Sequence, residues 1–100
     1  MEIKIVTRHQ GTVTWLNAKG IMGEVIPQLT PEQIVAGDIL YGVLPIPLIA
    51  LAFEKGARVI LTVLPAVVFA QRGSELTPAE MDGVGARLLE VVSLQLKEVQ

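Results

Sequence analysis

The feature that most constrains this chain is a set of short, unbroken aliphatic runs separated by helix-length segments. Ile3 to Thr7, Ile39 to Leu44 and Arg58 to Leu64 are rich in branched aliphatic residues. Such runs are apolar on both sides of the pleat, and strands of that kind are covered on both faces, as in parallel sheets. Between them, Gly11 to Lys19 reads as a helix anchored by Trp15 and Leu16 and stopped by Gly20. Glu24-Val25-Ile26 reads as a shorter strand ended by Pro27. Thr30-Pro31-Glu32-Gln33 has the capping-box pattern, with proline at the first helical position, and opens a single turn because Gly37-Asp38 follows. Pro47 to Lys55 reads as a helix closed by Gly56. A second capping box, Thr77-Pro78-Ala79-Glu80, opens a last helix expected to carry Met81, Val84, Leu88, Val91, Val92 and Gln95 on one broad face. The order predicts an α/β, three-layer domain with a mostly parallel four-stranded sheet and flanking helices. At 100 residues, without internal repeat or linker, the chain reads as a single domain spanning residues 1–100.

Composition narrows the possible partners. Apolar residues make up 51% of the chain, more than a domain this small easily hides, so a homodimer burying a second apolar face is expected. The chain has no cysteine, which removes disulfides and thiolate metal sites and fits a reducing, cytoplasmic location. Met1-Glu2-Ile3-Lys4 lacks the basic and apolar regions of a signal peptide. The uncharged runs Ile39 to Phe53 and Val59 to Gln71 are interrupted by Pro45, Pro47 and Pro65, and fall short of the roughly 18–20 apolar residues a membrane span needs. No membrane partner is expected. A net charge of −2, with eight basic residues in all, argues against long nucleic acids but leaves room for a small phosphate-bearing ligand.

In open parallel sheets ligands bind at the carboxyl ends of the strands, where strand order reverses. The first and third strands are the natural candidates, and the first ends in Thr7-Arg8-His9-Gln10-Gly11-Thr12. Arg8 offers a permanently charged fork for phosphate oxygens. His9 can move protons near neutral pH. Gly11 permits close backbone approach, and the following helix N-terminus favours an anion. Thr12 either caps that helix or donates to a phosphate. The same stretch also fits an ordinary polar connecting loop. Leu44 and Pro45 form a rigid corner after the third strand, either as ligand wall or as turn. Arg72 and Gly73, before the last capping box, are expected on the same edge, as ligand contacts or as plain surface loop. Trp15 can stack on a base, but its helical position favours packing on the sheet. Tyr41 reads as core. One histidine, no cysteine and scattered carboxylates give no metal site, and no cofactor is expected. Ser74 and Ser93 lack a nucleophile-elbow context, so no serine triad is read. The Arg8-His9 pair partly resembles the Arg-His-Gly of histidine phosphatases, but Gln10 intervenes, a second histidine is missing and the chain is too short.

Ile5-Val6-Thr7-Arg8-His9-Gln10-Gly11 with Trp15-Leu16 resembles the start of a small CRISPR-associated accessory family found with type III systems. The resemblance continues through Gly37-Asp38, Gly42-Val43-Leu44-Pro45, Gly56-Ala57-Arg58, Pro65, Arg72-Gly73, Glu75-Leu76 and Gly85-Ala86. It is carried by the ordered set, not by any one piece. Gln10 stands where members commonly have proline. The family includes ring nucleases, which degrade cyclic oligoadenylate, typically cyclic tetra-adenylate, and so switch off antiviral signalling. The resemblance implies a Rossmann-like core and a homodimer with the ligand across its two-fold axis. On that basis the ribose 2′-hydroxyl is expected to attack the adjacent phosphorus without metal, with His9 and Arg8 catalytic. Thr7, Gln10, Gly11, Thr12, Leu44, Pro45, Arg72 and Gly73 are expected to bind ligand. Two alternatives stay open: a module that sequesters the cyclic nucleotide without cutting it, and an interaction protein that docks on a CRISPR effector.

Overall fold

A computed structural model describes residues 2–64 and 76–100. In chain order the elements are β1 (Ile3–Val6), α1 (Gln10–Ala18), β2 (Glu24–Ile26), a 3-10 turn (Pro31–Gln33), β3 (Ile39–Gly42), α2 (Ile46–Lys55), β4 (Arg58–Val63), α3 (Pro78–Gly83) and β5 (Arg87–Glu90). The five strands form one sheet in the order β2-β1-β3-β4-β5. The first four are mutually parallel, and β5 runs antiparallel to β4. The chain is therefore α/β with a mostly parallel sheet and flanking helices, and the sheet has five strands where the aliphatic runs predicted four.

The fifth strand takes the place of the expected long last helix. The capping box at Thr77 forms: its amide donates to Glu80 Oε1 at 2.8 Å, and the Glu80 amide donates to Thr77 Oγ1 at 3.1 Å. The helix then ends at Gly83 because Gly85 turns the chain with φ +87°, a left-handed conformation. The Ala86 amide reaches the Met81 carbonyl at 3.0 Å, and the Gly85 amide reaches that of Asp82 at 3.1 Å. That paired arrangement is a Schellman stop, and the same one ends α1 at Gly20 and α2 at Gly56. Met81, Val84, Leu88, Val91, Val92 and Gln95 consequently share no helix face. Met81 is buried beneath α1, Leu88 sits on β5 against the same cluster, and Val92 is 84% exposed.

Side-chain alternation along the strands divides the core into two layers. On one face, Val6, Leu40 and Val59 meet Ile49 and Ala52 of α2, with Leu29 and Ile34 from the β2–β3 crossover. On the other, Ile5 meets Val13, Trp15 and Leu16 of α1 and Met81 of α3, flanked by Tyr41. Trp15 is fully buried there, as its helical position predicts, and its Nε1 donates to Asp82 Oδ1 at 2.8 Å. Lys19 closes the group, its ammonium 4.8 Å from the indole centroid and 3.6 Å from Asp82.

The amino-terminal end of the sheet holds a buried ion pair. Lys4 of β1 shares the α2-side face and bonds Asp38 Oδ2 at 2.6 Å. Its ammonium also donates to the Gln33 carbonyl. Asp38 accepts the Glu2 and Val35 amides, each at 3.2 Å. Burial pushes the Asp38 carboxyl up, but the Lys4 bond and these amides outweigh it and hold the group below the usual aspartate range. Lys55 supports the same segment, donating to the carbonyls of Pro31 at 2.8 Å and Ile34 at 3.1 Å. Two lysines thus fasten a crossover that has no full helix of its own.

Candidate functional site

Strand order reverses between β1 and β3: β1 connects outward to β2, and the chain then returns across β1 to β3. The carboxyl ends of β1 and β3 therefore flank the crevice in which ligands of open α/β sheets bind. Gly42 keeps these two ends close. It has φ +133°, and a Cβ there would overlap the Val6 carbonyl, which the Val43 amide reaches at 3.3 Å.

Thr7, Arg8, His9 and Gln10 leave β1 and enter α1 at this edge. They line an open cleft of about 280 Å³ together with Val13 of α1, and with Val25 and Pro27 at the end of β2. His9 is the N-cap of α1 in extended conformation, and its carbonyl accepts the Thr12 amide at 3.1 Å. The cap is held from the strand side, since the His9 amide donates to Thr7 Oγ1 at 3.1 Å. The hydroxyl of Thr7 thus shapes the exit turn while the imidazole stays exposed. The first turn of α1 contains no acidic residue. The positive end of the helix dipole lies at the cleft rim and favours an anion there.

Arg8 is exposed, and its Nη2 donates to Gln28 Oε1 at 3.0 Å. The guanidinium is thereby held toward the β2 side of the cleft. Gln28 takes one of its five N–H donors. Gln10 bridges the rim to the next helical turn: its Nε2 lies 3.3 Å from Thr14 Oγ1, and the Thr14 hydroxyl donates to the Gln10 carbonyl at 3.0 Å.

The remaining predicted residues lie at different depths. Gly11 and Thr12 are buried in the first turn of α1, behind the cleft surface. Leu44 is buried in the α2-side core, and Pro45 is the exposed N-cap of α2; neither lines the cleft. Arg72 and Gly73 lie outside the described residues. Val25, Pro27 and Gln28 are the residues that sequence reasoning missed. It placed the second wall at the end of β3, whereas the cleft opens on β2. The signal was present in Ile26-Pro27-Gln28, a strand end marked by proline and parallel to the end of β1. Among the described residues, no group of three or more His, Cys, Asp or Glu side chains is placed to hold a metal ion, and no helix is long and apolar enough to cross a membrane.

Neither a curated protein nor a solved structure matches the chain. A family profile does, over residues 4–93, and its description reads "Putative CRISPR-associated protein (Cas_VVA1548)". The match runs from β1 through β5, and so takes in the whole cleft and the sheet that carries it. The chain belongs to this family of small CRISPR-associated proteins.

Proposed function

We propose that this protein is a type III CRISPR accessory ring nuclease, which binds cyclic tetra-adenylate and cleaves it to linear di-adenylates without a metal ion. The observation that carries the reading is the pairing of Arg8 and His9 on the rim of a cleft at the carboxyl ends of β1 and β2, beside the N-terminus of α1, whose first turn contains no acidic residue. Membership of a CRISPR-associated family supports the setting. The sheet order is compatible with a Rossmann-like ancestry, with β5 as an antiparallel edge addition.

In the proposed reaction the ribose 2′-oxygen attacks the neighbouring phosphorus as its proton leaves. The bond from phosphorus to the 5′-oxygen breaks, and that oxygen takes up a proton. The products are a 2′,3′-cyclic phosphate and a 5′-hydroxyl. Atoms balance without water, metal or cofactor. His9 is the group suited to move a proton at one of the two oxygens. Arg8 holds the phosphate and offsets the charge that grows on it, with the positive end of the α1 dipole beside it. A second protomer supplies the same loop, so that two cuts open the ring of four into halves. Arg72 is proposed as a further phosphate contact.

The test is single-turnover incubation of the protein with labelled cyclic tetra-adenylate, with and without chelator, and separation of the products. Linear di-adenylate bearing a 2′,3′-cyclic phosphate, formed equally in chelator, is the expected result. Retention of intact ring on the protein identifies a sequestering module instead. No binding at all, together with a monomer at micromolar concentration, overturns the reading.

A further inference from the structure

The polar rim accounts for phosphate, but the cleft has another wall. Val13, Val25 and Pro27 share the lining with Arg8 and Gln10. Val25 is 45% exposed, although its register partner on the adjacent strand, Ile5, is fully buried. An exposed valine beside an exposed proline, backed by the buried Val13, gives apolar surface in the same cleft as a guanidinium. At about 280 Å³ the space falls just below the roughly 300–1,000 Å³ of drug-sized ligand pockets. It suits one nucleotide unit and not a whole ring of four.

We infer that this wall is a nucleobase slot, and that Gln10 makes it selective for adenine. The inference rests on the reading of the cleft as an adenylate site and adds how the base is read. A carboxamide presents an acceptor and donors side by side, the pattern that matches adenine N6–H and N7 together. Gln10 sits on the rim of the slot, and its Nε2 has Thr14 Oγ1 at 3.3 Å as a neighbour, which leaves a second amide hydrogen and Oε1 for a base edge. The base lies against Val13, Val25 and Pro27. The phosphate then falls to Arg8, which Gln28 holds on the same side. Base and phosphate are thus read by different residues of one cleft.

Mononucleotides separate the two parts of this site. The full chain is titrated with adenosine 5′-monophosphate, inosine 5′-monophosphate and ribose 5-phosphate, and followed by amide chemical shifts. Adenosine monophosphate is expected to bind roughly ten-fold tighter than ribose 5-phosphate. It should bind about five-fold tighter than the inosine compound, in which the N6 donor is gone. Shifts should reach Val13 and Val25. Gln10→Ala should erase the preference for adenosine over inosine monophosphate. Val25→Asn should bring adenosine monophosphate down to the affinity of ribose 5-phosphate, which itself should not change. Equal binding of adenosine monophosphate and ribose 5-phosphate, with shifts confined to Arg8 and His9, overturns the slot and leaves the phosphate site standing. Binding of none of the three overturns the slot and the phosphate site together.

Discussion

The two ends of the parallel sheet use their polar residues in opposite ways. At the amino-terminal end, Lys4 and Asp38 are buried, paired, and surrounded by backbone partners from Glu2, Gln33 and Val35. At the carboxyl-terminal end, Arg8, His9 and Gln10 are exposed around a cleft, with Arg8 bonded to Gln28 past the end of β2 and Gln10 to Thr14 in the next helical turn. One strand, β1, feeds both ends within a few residues. An ion pair closed to water is costly to break, whereas charge on an open rim at a helix N-terminus is available to an anion. Substitutions of these polar side chains should therefore separate into folding effects at the first end and ligand effects at the second.

The largest expected effect is at the closed end. Asp38→Ala leaves the Lys4 ammonium buried without its carboxylate and should cost about 3–5 kcal/mol of unfolding free energy. Urea denaturation measures it. The double change Lys4→Met with Asp38→Leu should recover most of the loss, because it removes both charges and their desolvation. Acid offers a second probe of the same pair. The Asp38 carboxyl in the folded chain is held below its unfolded value, so its contribution is fully present above the ordinary aspartate range. It is lost as the pH falls through that range toward the lowered value. Wild type should therefore destabilise in acid more steeply than the double variant. Parallel curves for the two would break the comparison between closed and open ends.

His9→Ala comes next. Loss of a general acid or base typically costs ~10²–10⁴-fold in rate, so single-turnover cleavage of cyclic tetra-adenylate should fall by about 10² or more. Urea denaturation of the variant separates this loss of rate from any loss of folding. Gly42→Ala is smaller for the fold than Asp38→Ala and acts at the opposite end. Its Cβ meets the Val6 carbonyl and its φ is positive, which should cost about 2 kcal/mol. Because the strain falls where β1 and β3 part, ligand affinity should drop with stability. A stable Gly42→Ala protein with intact binding would show that the β1–β3 junction does not shape the cleft.

The closed end and the open end were also unequally legible in the sequence. The aliphatic runs located β1, β3 and β4, and the capping patterns placed the turn at Thr30 and the helix at Thr77. The rim Thr7 to Gln10 was legible because Arg and His directly follow a buried strand. The buried pair was not read, since Lys4 inside an aliphatic run and Asp38 before another look like ordinary flanking charges. Their pairing depends on the β1–β3 register, which a single sequence does not state. The apolar periodicity of Leu88, Val91 and Val92 predicts a last helix that runs through Gly85. Gly20 and Gly56 read as helix stops, and the same rule at Gly85 releases residues 87–90 to form β5. Val25 and Gln28 were missed for a similar reason: β2 is three residues long, too short for its face or its exit to be read from pattern.

The smallest expected effect tests whether the open end is preorganised or merely exposed. Gln28 contributes to the cleft through one bond, from Arg8 Nη2 to its Oε1 at 3.0 Å. Both side chains are exposed, so Gln28→Ala should leave the unfolding midpoint unchanged. If Gln28 holds the guanidinium where phosphate arrives, its removal should weaken cyclic tetra-adenylate binding by about three- to ten-fold through the cost of ordering the arginine on binding. Arg8→Ala should weaken it more, by roughly 30-fold, because it removes the charge-assisted bond itself. Gln28→Glu sharpens the reading, since a carboxylate at this position pairs with Arg8 more tightly and competes with the phosphate. Affinity should then fall below that of Gln28→Ala. Equal affinity in wild type, Gln28→Ala and Gln28→Glu would mean that Arg8 finds the ligand unaided, and that the order at this end of the sheet stops at the Thr7–His9 turn.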